Sequence, residues 1–190
     1  MEPGWVCRIF RDWAVCCAGL LAVGGQPAAA APQVPTAGGA RLDQLPQQWR
    51  DDRGDRLPLA SLVGHRVILT MAYATCHKFC PATISNLGRL QQALDARGEQ
   101  VDFVIVGYDP DSDGPATWHR YRAHRHLNRS NWHFLTGTPD ATAQLARQLG
   151  FEFWKYDDHV MHDVRVVVFD AHGVLANAIG SGTRDWSAVL

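Results

Sequence analysis

Residues 65–81 read HRVILTMAYATCHKFCP and carry the strongest structural signal of the 190-residue chain. Residues 65–73 form a largely apolar run, which is typical of a strand buried on both faces of a sheet. Pro81 suits the first turn of a helix, where its missing N–H is not needed, and apolar side chains then recur at helical spacing up to residue 97. Cys76 and Cys80 therefore lie where a buried strand passes into a helix.

The rest of the chain alternates between helical and extended segments. We predict helices over 81–97, 115–127 and 138–149, further strands over 101–108, 132–135 and 164–170, and hairpins over 49–58 and 164–179. This order predicts an α/β fold, a thioredoxin-like three-layer sandwich with a mixed central sheet and an extra N-terminal hairpin.

The first 31 residues have the composition of an export signal. Arg8 and Arg11 precede an apolar run over 13–23, and the alanines at 28–31 offer cleavage sites. The run is shorter than the roughly 20 residues that span a bilayer, so a signal peptide is favoured over an uncleaved anchor, which is the alternative. We expect residues 1–31 to be this signal, residues 32–44 a linker and residues 45–190 the folded domain.

Cysteine usage indicates an oxidising compartment. Three of the five cysteines, Cys7, Cys16 and Cys17, fall in the predicted signal, which leaves Cys76 and Cys80 in the mature chain. We expect the protein to be exported to a bacterial periplasm, either released there or held at the inner membrane by the N-terminal segment.

Composition excludes several classes of function. The chain has 18 basic and 19 acidic residues, a net charge of −1, which argues against nucleic acid as a partner. Apolar residues make up 46%, too many for a disordered chain. The sequence contains no phosphate-binding loop, no nucleophile elbow and no H-E-x-x-H zinc motif.

Two thiolates with three residues between them can form a disulfide or bind one soft metal ion together. The start of a helix favours the thiolate form of Cys80. A metal site needs a third ligand, and His159, Met161 and His162 lie within four residues just before a predicted strand. Histidine suits copper in both oxidation states. A structural disulfide, a redox-active pair and a copper site all remain open at this point.

Three motifs together resemble the Sco/SenC family of thioredoxin-fold copper-binding proteins. They are the C-x-x-x-C-P of residues 76–81, the GYDPDSD of residues 107–113 after the next strand, and a histidine before a strand that ends in Asp-x-x-Gly. The resemblance extends over about residues 45–182. It implies that this domain binds Cu(I) or Cu(II) through two cysteines and one distal histidine.

Carried over to this sequence, the resemblance implies Cys76, Cys80 and His162 as the copper ligands. The family histidine lies eight residues before the strand-terminal aspartate and eleven before the glycine. Counting back from Asp170 and from Gly173 leads both times to His162.

Three further residues belong to the predicted site. His159 is the alternative third ligand, and Met161 lies nearby. Asp109 matches an acidic residue near the site in relatives, and we expect it to position the site rather than bind the metal. Within the cysteine segment, His77 and Lys78 depart from the family pattern, and Lys78 would favour a thiolate electrostatically.

The resemblance implies a metallochaperone rather than an enzyme. Its expected partner is cytochrome c oxidase subunit II, whose dinuclear centre would receive copper, or another cuproenzyme. Other copper chaperones and thioredoxin-like reductants are further expected partners. The alternative is a periplasmic thiol–disulfide oxidoreductase that carries no copper and uses Cys76 and Cys80 as its catalytic pair.

Overall fold

The computed structural model describes residues 39–75, 80–157 and 159–180, and of Cys80 it describes the backbone alone. The predicted signal peptide or anchor, most of the predicted linker, and Cys76 with His77 and Lys78 lie outside the described residues. Within the described ranges, no helix is both long and apolar enough to cross a membrane.

The described residues form three α-helices, seven strands and two short 3₁₀-helices, Leu42–Gln44 and Leu59–Leu62. The helices are α1 (Cys80–Ala96), α2 (Pro115–His124) and α3 (Pro139–Leu149). The strands are β1 (Arg66–Ala72), β2 (Val101–Gly107), β3 (Trp132–Leu135), β4 (Phe153–Tyr156), β5 (His159–His162), β6 (Val166–Phe169) and β7 (Leu175–Ile179).

The central sheet has the strand order β3-β2-β1-β6-β7 and is mixed. β1 pairs in parallel with β2 and β2 with β3, whereas β6 runs antiparallel to both β1 and β7. Leu69, in the middle of β1, stands opposite Val104 on one side and Val167 on the other. Every residue of β2 is buried, as expected for a strand inside a sheet that is covered on both faces.

The two faces of the sheet carry separate apolar layers. Ile68 and Phe103 pack with Leu87 of α1 and Trp118 of α2. The opposite face, which includes Leu69, packs against α3 and against the segment before β1. The predicted thioredoxin-like three-layer sandwich with a mixed sheet is therefore confirmed.

Two parts of the fold differ in detail from the sequence prediction. The segment over 49–58 folds back on itself, with the Leu57 N–H donating to the Trp49 carbonyl at 3.1 Å, but it makes one bridge rather than regular strands. Residues 153–162 form the antiparallel pair β4–β5, in a segment for which the sequence predicted no helix or strand. Leu42, within the predicted linker, is fully buried in the core, so the last residues of that segment belong to the folded part.

A buried carboxylate joins the loops that follow β1 and β2. Asp113 is 1% exposed and accepts hydrogen bonds from the N–H of Ala74 at 2.8 Å and from the N–H of Asp109 at 3.2 Å. The carboxylate packs against Gly107, where a Cβ atom would lie 2.8 Å from the Cβ of Asp113. A glycine at the end of β2 is therefore what lets Asp113 reach both loops.

The titration of Asp113 predicts a pH dependence of stability. Burial raises the pKa of Asp113 to about 7, although the N–H groups of Ala74 and Asp109 oppose the shift. An unfolded aspartate has a pKa of about 3.9. Between these values the folded chain holds a proton that the unfolded chain has lost, so the free energy of unfolding falls as the pH rises from about 4 to about 7 and then levels off.

We expect this contribution to have a slope of at most about 1.4 kcal/mol per pH unit and to vanish in Asp113→Asn. Urea denaturation of both proteins at several pH values measures it. Asp111→Asn, at an exposed position in the same loop, is the matched control and should follow the parent. Equal pH slopes for Asp113→Asn and the parent protein would contradict the assignment.

Candidate metal centre

The predicted cysteine ligands belong to the connection between β1 and α1. β1 ends at Ala72 and α1 begins at Cys80. Cys76 and the side chain of Cys80 lie outside the described residues, so the centre is described from the residues that flank them. Those residues stand at the carboxyl end of β1, next to the carboxyl end of its parallel neighbour β2. Ligand sites in open α/β sheets commonly occur at this edge.

His162 lies on the inward face of β5. Neighbouring residues of a strand point to opposite faces, and along β5 Val160 is buried and His162 half-buried, while His159 and Met161 are exposed. The two histidines of the motif therefore face different surroundings. His162 faces the core and His159 faces solvent.

Two tyrosines fix the ring of His162 at the end of the central sheet. The His162 ring stacks on Tyr108, which follows β2, with centroids 4.8 Å apart and an interplanar angle of 29°. It meets Tyr73, which follows β1, edge to face with centroids 5.6 Å apart. Tyr73 is three residues before Cys76 in the sequence. The described structure thus brings His162 to the start of the cysteine segment.

The hydrogen bond of His162 indicates the tautomer of its ring. Its Nδ1 lies 2.6 Å from the carbonyl oxygen of Asp163. A carbonyl oxygen can only accept, so Nδ1 carries the proton and donates it. In the neutral ring the lone pair then lies on Nε2. Backbone carbonyls hold metal-binding histidines in this way and fix their tautomer.

Asp109 connects the loop after β2 to the β4–β5 hairpin that carries His162. Its Oδ1 is 2.9 Å from Nζ of Lys155 in β4. Burial raises the pKa of Asp109, but hydrogen bonds from Lys155 and Ser112 outweigh it and hold the pKa below the ordinary value. The carboxylate is therefore ionised and engaged with a cation, as suits a residue that positions the site rather than one that binds the metal.

Sequence reasoning missed two residues of this arrangement. Asp113 holds the backbone on both sides of the site, and Lys155 ties the hairpin to Asp109. The recurrence of aspartate within residues 109–113 was the available signal for Asp113. The available signal for the hairpin was the aromatic-rich stretch over 153–156, followed by two aspartates of the kind that bound strands.

The described residues do not make a metal site by themselves. Among them, no three His, Cys, Asp or Glu side chains are grouped so that they could hold an ion. They supply one oriented imidazole, and a complete centre at this edge depends on the cysteines that lie outside them.

The sequence matches one protein-family model and is similar to known proteins. The family model described as SCO1/SenC matches residues 44–189. The SCO1 protein homolog of Bacillus subtilis is 28% identical over 92 residues, 48% of this chain and 48% of that protein. A relative from Stutzerimonas stutzeri is 30% identical over 111 residues, 57% of this chain and 53% of that protein. The chain thus spans about half the length of the curated relatives it matches.

The fold is similar to those of solved structures. A SCO1/SenC family lipoprotein from Bacillus anthracis is similar with a TM-score of 0.70 and 21% identity over 80% of this chain and 93% of that one. Arabidopsis thaliana ScoI, solved with copper bound, is similar with a TM-score of 0.67 and 20% identity over 80% and 92%. BsSco, described as a member of the Sco family of cytochrome c oxidase assembly proteins, is similar with a TM-score of 0.65 and 22% identity over 75% and 85%.

These likenesses agree with the fold derived above, and the family model covers nearly the whole described domain. The chain therefore belongs to the SCO1/SenC family.

Proposed function

We propose that the protein is a copper metallochaperone of the bacterial periplasm. In this proposal Cys76, Cys80 and His162 bind one copper ion, and the ion is passed to a cuproenzyme. The dinuclear copper centre of cytochrome c oxidase is the proposed recipient. Copper is the cargo of this reaction and leaves with the recipient.

The position of His162 carries the proposal. Its ring lies between Tyr73 and Tyr108, at the edge of the sheet where the cysteine segment begins, and its Nδ1–H donates to a backbone carbonyl. The nitrogen that binds a metal, Nε2, therefore bears the lone pair in the neutral ring. His159 points to the opposite face of β5, which favours His162 as the third ligand.

The donor set matches copper better than the other common ions. Two thiolates favour Cu(I), and an imidazole suits either oxidation state. Structural zinc sites are closed by four protein ligands, and only three are proposed here. A three-ligand site leaves an open position through which a thiolate of the recipient can enter, so the ion can be exchanged rather than trapped.

Two structural relatives also support the proposal. One structural relative was solved with copper bound, and another belongs to the assembly proteins of cytochrome c oxidase. That second relative also contains a disulfide switch, which means that copper carriage and thiol chemistry both have to be tested in this chain.

A thiol–disulfide oxidoreductase is the second candidate function. α1 begins at Cys80, and unpaired N–H groups with the helix dipole lower the pKa of a thiol at such a position. Cys76 and Cys80 would then cycle between dithiol and disulfide and reduce the cysteines of the recipient. Because this reaction needs no histidine, substitution of His162 distinguishes the oxidoreductase from the metallochaperone.

We expect one copper ion to bind at the centre formed by Cys76, Cys80 and His162, and this binding should depend on all three proposed ligands. In a chain whose Cys7, Cys16 and Cys17 are serine, Cys76→Ser, Cys80→Ser and His162→Ala should each weaken copper binding. Each substitution should lower the copper affinity by more than the roughly 10–100-fold that is typical when a residue hydrogen-bonded to a metal ligand is removed. Competition with a chromophoric chelator measures Cu(I), and the thiolate-to-copper absorption band reports Cu(II).

His159→Ala is the matched control, because it removes an imidazole from the other face of the same strand. The His159→Ala variant should keep the parent's copper affinity at the centre formed by Cys76, Cys80 and His162. Circular dichroism should show that every variant is folded. If His162→Ala retains the parent affinity for both oxidation states, His162 is not the third ligand.

We expect His162→Ala to separate copper transfer from thiol chemistry. The copper-loaded parent, mixed with the copper-free dinuclear copper domain of a cytochrome c oxidase, should transfer copper, seen as the recipient's own copper–thiolate absorption. His162→Ala should lose this transfer and still exchange its disulfide with reduced glutathione. A variant that still supports assembly of the recipient's copper centre, with copper supplied as the free ion, would instead favour the oxidoreductase. Transfer by neither protein would remove cytochrome c oxidase as the recipient.

A further inference from the structure

The outward face of the β4–β5 hairpin combines four unusual surface residues. Trp154 stands directly opposite Met161, and Tyr156 directly opposite His159. The exposed fractions are 55% for Trp154, 70% for Tyr156 and 45% for Met161, and His159 is exposed as well. They form a continuous patch, because side chains directly opposite each other on antiparallel strands have Cβ atoms about 4.5–5.5 Å apart.

The patch is separate from the centre that includes His162. Phe153 and His162 pair on the inward side of the hairpin, as do Lys155 and Val160. Lys155 forms its ion pair with Asp109, so its charge is directed away from the patch. Two surfaces with different chemistry thus share one hairpin, and the cysteines belong to neither strand.

The donors of the patch are soft or borderline. Met161 offers a thioether sulfur, and His159 offers an imidazole nitrogen two residues earlier on the same face. Two strand residues at this spacing are about 6.7 Å apart along the strand, so a long methionine side chain and an imidazole can converge on one ion. Thioethers select Cu(I), and imidazole suits copper.

The aromatic neighbour adds a further attraction for a cation. Trp154 lies opposite Met161, and the face of an indole is the best aromatic partner for a positive charge within about 6 Å. The four residues of the patch include no carboxylate, the ligand that hard cations such as Mg²⁺ and Ca²⁺ prefer in proteins. The chemistry of the patch therefore favours a soft monovalent ion.

We propose that His159 and Met161 form a second, surface site for Cu(I), with the indole of Trp154 covering the bound ion. Binding there needs no cysteine and does not depend on the function proposed above. It also gives His159 a role other than that of an alternative ligand in the cysteine centre.

The proposal is tested in a full-length chain in which all five cysteines are serine. Cu(I) is added without oxygen, in competition with a chromophoric Cu(I) chelator, while tryptophan emission is recorded. Trp154 is the exposed tryptophan of the described part of the chain, because Trp49, Trp118 and Trp132 are at most 2% exposed there. We expect Cu(I) to quench the long-wavelength emission of the exposed indole.

Substitutions then assign the ligands. We expect His159→Gln and Met161→Leu each to weaken Cu(I) binding at least about tenfold. Trp154→Phe should abolish the emission change and weaken binding only about two- to fivefold, as expected for a cation–π contact. His172→Gln, at an exposed histidine in the turn before β7, is the matched control and should leave affinity and quenching unchanged.

Several results would overturn the proposal. These are parent-like Cu(I) affinity in His159→Gln or in Met161→Leu, unchanged tryptophan emission, and displacement of Cu(I) by equimolar Zn²⁺. Because this chain lacks the cysteines, such a failure leaves the proposal for Cys76, Cys80 and His162 untouched. Failure of that proposal likewise leaves this one intact.

Discussion

The arrangement of the candidate centre depends on one buried carboxylate. Asp113 accepts N–H groups from Ala74 and Asp109, and so fixes the ends of two parallel strands relative to each other. Asp109 in turn holds Lys155, which positions the hairpin that carries His162. Burying the ionised form of this carboxyl group is costly, and the two N–H groups offset only part of that cost. Asp113 therefore has its pKa raised to about 7.

The β4–β5 hairpin shows how strand geometry divides a short motif between two surfaces. His159 and His162 are three residues apart, an odd separation, so the alternation of a strand sends them to opposite faces. Had this segment been helical, positions three apart would have shared a face. The backbone conformation, more than the spacing in the sequence, therefore determines which histidine packs against Tyr73 and Tyr108 at the end of the central sheet.

Much of the fold followed from local patterns. The buried strands were predictable because runs such as those of β1 and β2 have few polar residues, and α3 because Thr138 caps its start and Gly150 adopts a left-handed conformation at its end. The hairpin was missed because the residues of β4 after Phe153 are exposed on both faces, so no alternation of buried and polar positions marks the strand, and both strands lie outside the central sheet. For the site, motif spacing predicted His162, but the role of Asp113 comes from tertiary burial, which one sequence does not reveal.

The ring of His162, held between two tyrosines and a backbone carbonyl, has a kinetic consequence. A side chain packed in this way loses its rotational freedom when the protein folds, not when an ion arrives. If His162 binds copper as proposed, the ligand is already in place when the ion arrives, and neither binding nor release of the ion requires the ring to reorient. In the proposed carrier role, a ligand that stays in place would favour exchange of the ion in both directions.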